Sequence, residues 1–289
     1  MDFKDLNIAI VGLGMEGGSY AIAINHYLQP KSLMAVDINE NVLIAAEKLN
    51  VIDRGSTQPQ EILPHADLVI ICIYPSEIAP FIKANQSYFK PNSVVTDAAG
   101  VKGPIVNEIV DIIRDDVDFV PGHPMAGNEF RGFLYADKKI FHGNSYLITP
   151  TIKNKESSLR LVESMAKRFG CSKVYRTDIE THDAMIAYAS QLMHVIAVSV
   201  VNNDHFANDI SLFSGGSFKS ATRVANINPD LWTDAFLLNR SYLINEIDTF
   251  HDNMSQFKDA LMAEDKETIY QLLEKSRQKM TANINRFDP

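Results

Sequence analysis

Cysteine and tryptophan are scarce in this 289-residue chain: Cys72 and Cys171 are the two cysteines, and Trp232 is the single tryptophan. Two cysteines so far apart cannot build a disulfide framework, and neither belongs to a C-x-x-C pair, so no stapled scaffold and no metal site is expected. Positive charge is also in deficit, with 27 Lys and Arg against 36 Asp and Glu and a formal net charge of −9. That balance excludes the basic footprint of a nucleic-acid binder. An anionic small substrate stays possible, provided a few local cations hold it. No stretch approaches the roughly 18 apolar residues expected of a membrane span. The N-terminal segment carries Asp2 and Asp5 where a signal peptide places bases. A soluble, cytoplasmic protein with no membrane partner is therefore expected. At 46% hydrophobic and 22% charged residues, the chain can bury a core of one large or two ordinary domains.

The first half alternates short β-branched runs with helical stretches. Ile8–Val11, Leu33–Val36, Leu68–Ile73, Val94–Thr96 and Phe119–Val120 read as strands. The near-continuous apolar character of several of them is that of parallel strands covered on both faces. Ser19–Tyr27, Glu40–Leu49, Pro75–Asn85 and Gly103–Asp115 alternate with them as helices. This repetition predicts a doubly wound, Rossmann-type α/β domain. A strand at Ser145–Thr149, a helix over Glu156–Phe169 and a last strand at Lys173–Arg176 complete it. After Thr177 the strand signals fade and helical periods take over: Ile179–Asn202, Pro229–Met262 with breaks, and Lys266–Asn285. The boundary is placed there, giving a dinucleotide-binding domain over 1–177 and an all-helical substrate and dimerisation domain over 178–289. The apolar faces of so small a helical domain are expected to pack on the first domain or on a second subunit, and a homodimer is expected.

Gly12-Leu13-Gly14-Met15-Glu16-Gly17 follows the first strand and opens the first helix. In such a loop the first glycine allows the tight turn, the second lets backbone approach a pyrophosphate, and the third lets helix and strand pack closely. The helix N-terminus then offers free N–H groups and positive dipole. Asp37 closes the second strand 20 residues after Gly17, where a carboxylate receives the adenosine ribose hydroxyls. That carboxylate would repel a 2′-phosphate, and residues 38–41 offer no Arg or Lys, so NAD is favoured over NADP. Tyr74 and Asp97, just beyond the third and fourth predicted strands, join the cofactor candidates. Glu16 is the oddity: a carboxylate in a phosphate loop, expected to point to solvent.

A second dense region spans Pro121 to Glu129, with glycine and proline flanking His123. A histidine on a loop beyond a strand's carboxyl end can face a nicotinamide and act as a base; hydrogen-bonding a turn is the competing role for it. With these residues in view, the sequence resembles the prephenate/arogenate dehydrogenases of tyrosine biosynthesis. The resemblance rests on GLGMEGGS at 12–19, TDAAGVKGPI at 96–105, GHPMAGNE at 122–129, THDAMIAYASQLMH at 181–194 and GGSFKSATRVANINPDLW at 215–232.

The resemblance implies oxidation of a ring alcohol by hydride transfer to NAD, with loss of the ring carboxylate as carbon dioxide. It implies His123 as the catalytic base, Arg223 as the clamp on a substrate carboxylate, and His194, Glu129 and Trp232 near the substrate. Gly100 stands in the substrate pocket where the family usually has serine, in the stretch Asp97-Ala-Ala-Gly-Val-Lys102. Gln191 and Asn128 depart from the pattern as well. These departures bear on rate or substrate, so arogenate or another cyclic hydroxy acid, or a paralogue that binds NAD without turnover, remain open readings. With the last residue at Pro289, no fused mutase or regulatory domain is expected.

Overall fold

The computed structural model describes residues 2–127, 131–203 and 210–287. Five strands of the first half alternate their side chains between two apolar layers. On β1 (Asn7–Val11), Ile8 and Ile10 face one core while Ala9 and Val11 face the other. On β4 (Leu68–Ile71), Leu68 and Ile70 oppose Val69 and Ile71 in the same way. Side chains on a strand alternate with period two, so only strands covered on both faces can be apolar throughout. The covers are α1 (Met15–Tyr27) and α5 (Glu156–Arg168) on one side, and α3 (Pro75–Asn85) and α4 (Gly103–Ile112) on the other.

With β2 (Ser32–Val36), β3 (Arg54–Ser56), β5 (Val94–Asp97) and β6 (Asp118–Val120), these strands form a six-stranded parallel sheet in the order β3-β2-β1-β4-β5-β6. This is the doubly wound Rossmann order, with the direction of winding reversing between β1 and β4. Register places Val11, Val36, Ile71 and Asp97 in one row at the carboxyl ends of their strands. The residues that follow them, Gly12, Asp37 and Cys72, therefore open on the same crevice. Strand β3 was not anticipated, because a three-residue Arg-Gly-Ser edge carries no apolar signal.

The chain leaves β6 through Pro121 and forms a second, three-stranded sheet from β7 (Gly122–Pro124), β8 (Ser145–Ile148) and β9 (Lys173–Arg176). Strand β7 pairs antiparallel with β8, placing His123 opposite Leu147. His123 thus sits on a strand rather than on the expected loop; Gly and Pro hid it, since neither is a strand former in sequence. Gly122 is required there, because a Cβ would lie 2.6 Å from the Tyr146 hydroxyl.

Packing divides the chain into two compact units, Met1–Arg240 and Ser241–Pro289. The first unit also holds α6 (Ile179–Ile186), a π-helical segment Ala187–Gln191, α7 (Leu192–Val201), α8 (Gly216–Thr222) and α9 (Pro229–Leu238). The second holds α11 (Lys266–Phe287) and nearly all of α10 (Arg240–Met262), and leaves Met254, Leu261, Tyr270 and Leu273 exposed. A helical C-terminal part thus follows the sheet, as expected. One expectation is overturned: Ile179–Val201, with mean hydropathy 1.7, is long and apolar enough by length and composition to cross a membrane. His182, Asp183, Gln191 and His194 interrupt its apolar run without lowering the average enough to fail that test, and each of them is hydrogen-bonded within the first unit.

At the crevice floor the Lys102 ammonium lies 2.5 Å from Asp97, and both side chains are essentially solvent-free. Together they pin β7 at its start: Asp97 accepts the Gly122 N–H at 3.2 Å, and Lys102 donates to the Gly122 carbonyl. Removing one partner of such a pair leaves an uncompensated buried charge. Lys102→Met is expected to cost about 3–5 kcal/mol in chemical denaturation; an unchanged midpoint would mean that the carboxylate is not held as a buried anion.

Candidate active site

The crevice begins at the glycine loop. Gly12 adopts φ +89°, and a Cβ there would meet the Cys72 carbonyl at 2.5 Å. A Cβ on Gly17 would lie 1.8 Å from the Gly12 carbonyl, so helix α1 can approach β1 only without a side chain. Gly14 differs. It caps α1 with no side-chain bond, and a Cβ on it would meet nothing within 4 Å. Uncapped first-turn amides facing clear space are what a pyrophosphate requires, so the loop fits a dinucleotide. Asp37, half-buried at the end of β2, accepts the Leu13 N–H at 2.6 Å and the Asn39 N–H at 2.8 Å. Each carboxylate oxygen retains acceptor capacity for a ribose hydroxyl.

Met15 and Glu16 form the first turn of α1. Glu16, expected to point to solvent, is half-buried, in the field of the Lys102 ammonium and the Asp97 carboxylate. Burial lifts its carboxyl to about 8, with Lys102 pulling down and Asp97 pushing up. Asp97, expected from sequence among the cofactor contacts, is fully buried, its oxygens accepting from Lys102, the Ala99 N–H and the Gly122 N–H. Its position is that of a support beneath the crevice.

His123 has a partner that sequence reading missed. Its Nδ1 lies 2.9 Å from Nε2 of His182, whose Nδ1 lies 2.7 Å from Oδ1 of Asp183. Asp183 also accepts the Lys102 N–H at 2.9 Å and the Gly103 N–H at 2.7 Å. It therefore caps α4 from outside, where the helix dipole favours negative charge. A carboxylate only accepts, so His182 Nδ1 carries the proton; as a neutral imidazole, His182 then accepts at Nε2 from His123 Nδ1–H. That leaves Nε2 of His123 as the bare nitrogen. Burial, His182 and Lys102 hold His123 well below the usual histidine range, so it is neutral near pH 7 and can take a proton. A Cβ on Gly100 would lie 3.6 Å from that Nε2, so Gly100 adjoins the nitrogen that can act as a base.

The helix that carries His182 also carries His194, and the π segment between them shifts the phase of the second half relative to the first. Such insertions cluster at functional sites. His194 stacks on Trp232 with ring centroids 3.7 Å apart, its Nδ1 donating to the Ser190 carbonyl at 2.9 Å. Gln191 and Asn239 bond at 2.8 Å, and Asn239 also donates to the Asp183 carbonyl at 3.0 Å, which locks α6 against the end of α9. Asn228 caps α9 and donates to the Tyr74 hydroxyl at 3.2 Å. Ser76 donates to Asp234 nearby. Trp232 and Tyr74 are thereby tied to the carboxyl end of β4. Arg223 is exposed, on a short 3-10 turn, Arg223–Ala225, that packs along α7.

The structure thus brings together Gly12, Gly14, Gly17 and Asp37; Asp97, Gly100 and His123; and His194 with Trp232. Glu129 and Asn128 lie outside the described residues. Among the described residues no cluster of His, Cys, Asp and Glu is arranged to hold a metal. Lys102, His182 and Asp183 were within stretches noticed in the sequence, but only proximity across the fold reveals their roles.

Comparison with known proteins agrees in both halves. A family model described as "Prephenate dehydrogenase, nucleotide-binding domain" matches residues 20–175, and one described as "Prephenate dehydrogenase, dimerization domain" matches 178–275. The chain is 27% identical over 276 residues to a cyclohexadienyl dehydrogenase of Zymomonas mobilis, covering 94% of each. It is 26% identical over 268 residues to a prephenate dehydrogenase of Bacillus subtilis, covering 91% of this chain and 72% of that one. Among solved structures, prephenate dehydrogenase from Aquifex aeolicus in complex with hydroxyphenyl propionate and NAD+ superposes with TM-score 0.87 at 27% identity, covering 96% of this chain and 98% of that one. Synechocystis arogenate dehydrogenase shares the fold, with TM-score 0.79 at 21% identity over 98% of this chain and 100% of that one. With both of its halves matched, this chain belongs to the prephenate/arogenate dehydrogenase family of oxidoreductases.

Proposed function

We propose that the protein is an NAD-dependent prephenate dehydrogenase that converts prephenate to 4-hydroxyphenylpyruvate and carbon dioxide. The observation that carries this reading is the bare Nε2 of His123, oriented by His182 and Asp183 beside Gly100. Gly12, Leu13, Gly14, Met15, Gly17, Asp37 and Tyr74 would hold the dinucleotide, and the missing Arg or Lys at 38–41 favours NAD. Bound NAD supplies the hydride acceptor.

The chain's own residues handle the proton and the acid groups. His123 Nε2 takes the proton of the ring hydroxyl as the carbinol carbon gives up its hydride, because departure from an alkoxide-like carbon is far easier than from an alcohol. The imidazolium formed is stabilised through His182 by the Asp183 carboxylate, as in a Ser-His-Asp arrangement. Loss of the ring carboxylate as carbon dioxide sends its electron pair through the ring to the new carbonyl oxygen. His123 then returns the proton to give the phenol. Arg223 clamps a substrate carboxylate by paired hydrogen bonds, with His194 and Trp232 shaping the rest of the pocket. Gly100, without the family's hydroxyl, favours a second reading in which arogenate or another cyclic hydroxy acid is the substrate.

The work of such an enzyme belongs in the cytoplasm, in a homodimer built through the helical part, whose exposed Met254, Leu261, Tyr270 and Leu273 would be covered by the second copy. Purified protein given prephenate and NAD should form NADH with stoichiometric carbon dioxide. Nucleotide binding without turnover of prephenate would overturn the assignment, and turnover of arogenate alone would establish the second reading. His123→Asn is expected to abolish turnover while leaving NAD affinity within a few-fold; near-normal turnover would move the base elsewhere. Arg223→Ala should raise the substrate KM by about ten- to a hundredfold, the loss of a charged hydrogen bond, with little effect on NAD affinity.

A further inference from the structure

Helix α9 uses two nearly opposite faces. Trp232 and Phe236, four residues apart and so on one face, have ring centroids 5.3 Å apart, and Trp232 lies on His194. Asp234 and Leu238 repeat that spacing two residues further on, which turns them to the other side. Leu238 packs on the core layer shared by α3 and α4, and Asp234 accepts from Ser76 in the first turn of α3. At the head of α9 the Asn228 side chain serves both ends of one contact. Its carbonyl oxygen accepts the Asp230 and Leu231 N–H groups, while its amide donates to the Tyr74 hydroxyl at 3.2 Å. Tyr74 and Ser76 flank Pro75, which opens α3 just beyond the carboxyl end of β4. Tyr74 is 43% exposed, so its ring keeps free surface although its hydroxyl is held. The tail of α9 is tied to the helix of the two histidines, because Gln191 donates to the Ala235 carbonyl at 3.0 Å and Asn239 to that of Asp183 at 3.0 Å.

The proposed chemistry uses neither the Asn228–Tyr74 bond nor the Ser76–Asp234 bond. Exposed polar bonds of this kind add little to stability. Yet both join the same two places, the β4–α3 turn at the rim of the nucleotide crevice and the helix that holds Trp232 on His194. Resting on the cofactor and substrate assignments above, we propose that Asn228 and Asp234 are positioning residues that fix the Trp232–His194 wall against the turn the cofactor orders, so that cofactor and substrate each bind more tightly when the other is present. A cofactor lying on Tyr74 restricts the turn, and the two bonds pass that restriction to α9. The substrate then meets a wall already in place and loses less freedom on binding. By reciprocity it strengthens cofactor binding by the same factor.

Calorimetric titration of the whole protein tests this with NAD+ and 4-hydroxyphenylpyruvate, the oxidised cofactor and the oxidised product, a pair with no hydride to exchange. In the wild type, saturating 4-hydroxyphenylpyruvate should lower the Kd of NAD+ roughly tenfold, and saturating NAD+ should do the same for the product. Asn228→Ser keeps a capping oxygen but is too short to reach Tyr74. Combined with Ser76→Ala, it should bring the factor to about one, with each ligand alone binding within about twofold of the wild type. Asp234→Asn, which retains an acceptor for Ser76, should keep the wild-type factor. An unchanged factor in the double variant would place the coupling in direct contact between the two ligands and overturn the proposal. Independent binding of the two ligands to the wild type would overturn it as well. Both results would leave the dinucleotide site standing, whereas failure of NAD+ to bind at all would remove that site and the proposal with it.

Discussion

A line of hydrogen bonds from Asp183 through His182 to His123 joins the helical segment after the sheet to the strand that carries the candidate base. Its direction follows from a carboxylate that has no proton to give and from a neutral His182 that has only one. Everything along the line then has a single tautomer, ending in an unprotonated nitrogen at the crevice. The same carboxylate caps α4, so the group that orients the base is itself held by two backbone amides. A base positioned this way owes its orientation to the packing of α6 against α4, and so to the joining of helices and sheet within one compact unit.

Beneath the crevice, buried charge does the positioning. Asp97 and Lys102 are both shut off from water and together hold the N–H and C=O of Gly122, the residue before His123. Burial alone pulls the Lys102 ammonium down from its ordinary range, and Asp97 opposes that pull. In so dry a place, charges a few ångströms apart interact strongly. Lys102 accordingly influences both Glu16 and His123. The nucleotide loop and the base are thereby part of one electrostatic system.

The sheet was legible because its strands are apolar on both faces, a signal that needs no knowledge of contacts. β3 and β7 were not, since Arg-Gly-Ser and Gly-His-Pro carry none of it; their pairing comes from neighbours already in place. The glycine loop and Asp37 could be read from spacing, because a strand, a turn and a helix fix their relation locally. His123 could be singled out by its motif, but its partner lies 59 positions away. No spacing rule predicts that distance. The membrane-like average of Ile179–Val201 is masked in sequence by His182, Asp183, Gln191 and His194, which the helix spaces where they meet partners.

That His123 presents a bare Nε2 because Asp183 acts on it through His182 can be read directly from nitrogen-15 NMR of histidine-labelled protein near neutral pH. A protonated Nδ1 and an unprotonated Nε2 are expected on His123, with that single tautomer lost when His182 is replaced by leucine. A proton found on Nε2 of His123, or a tautomer unaffected by the loss of His182, would contradict it.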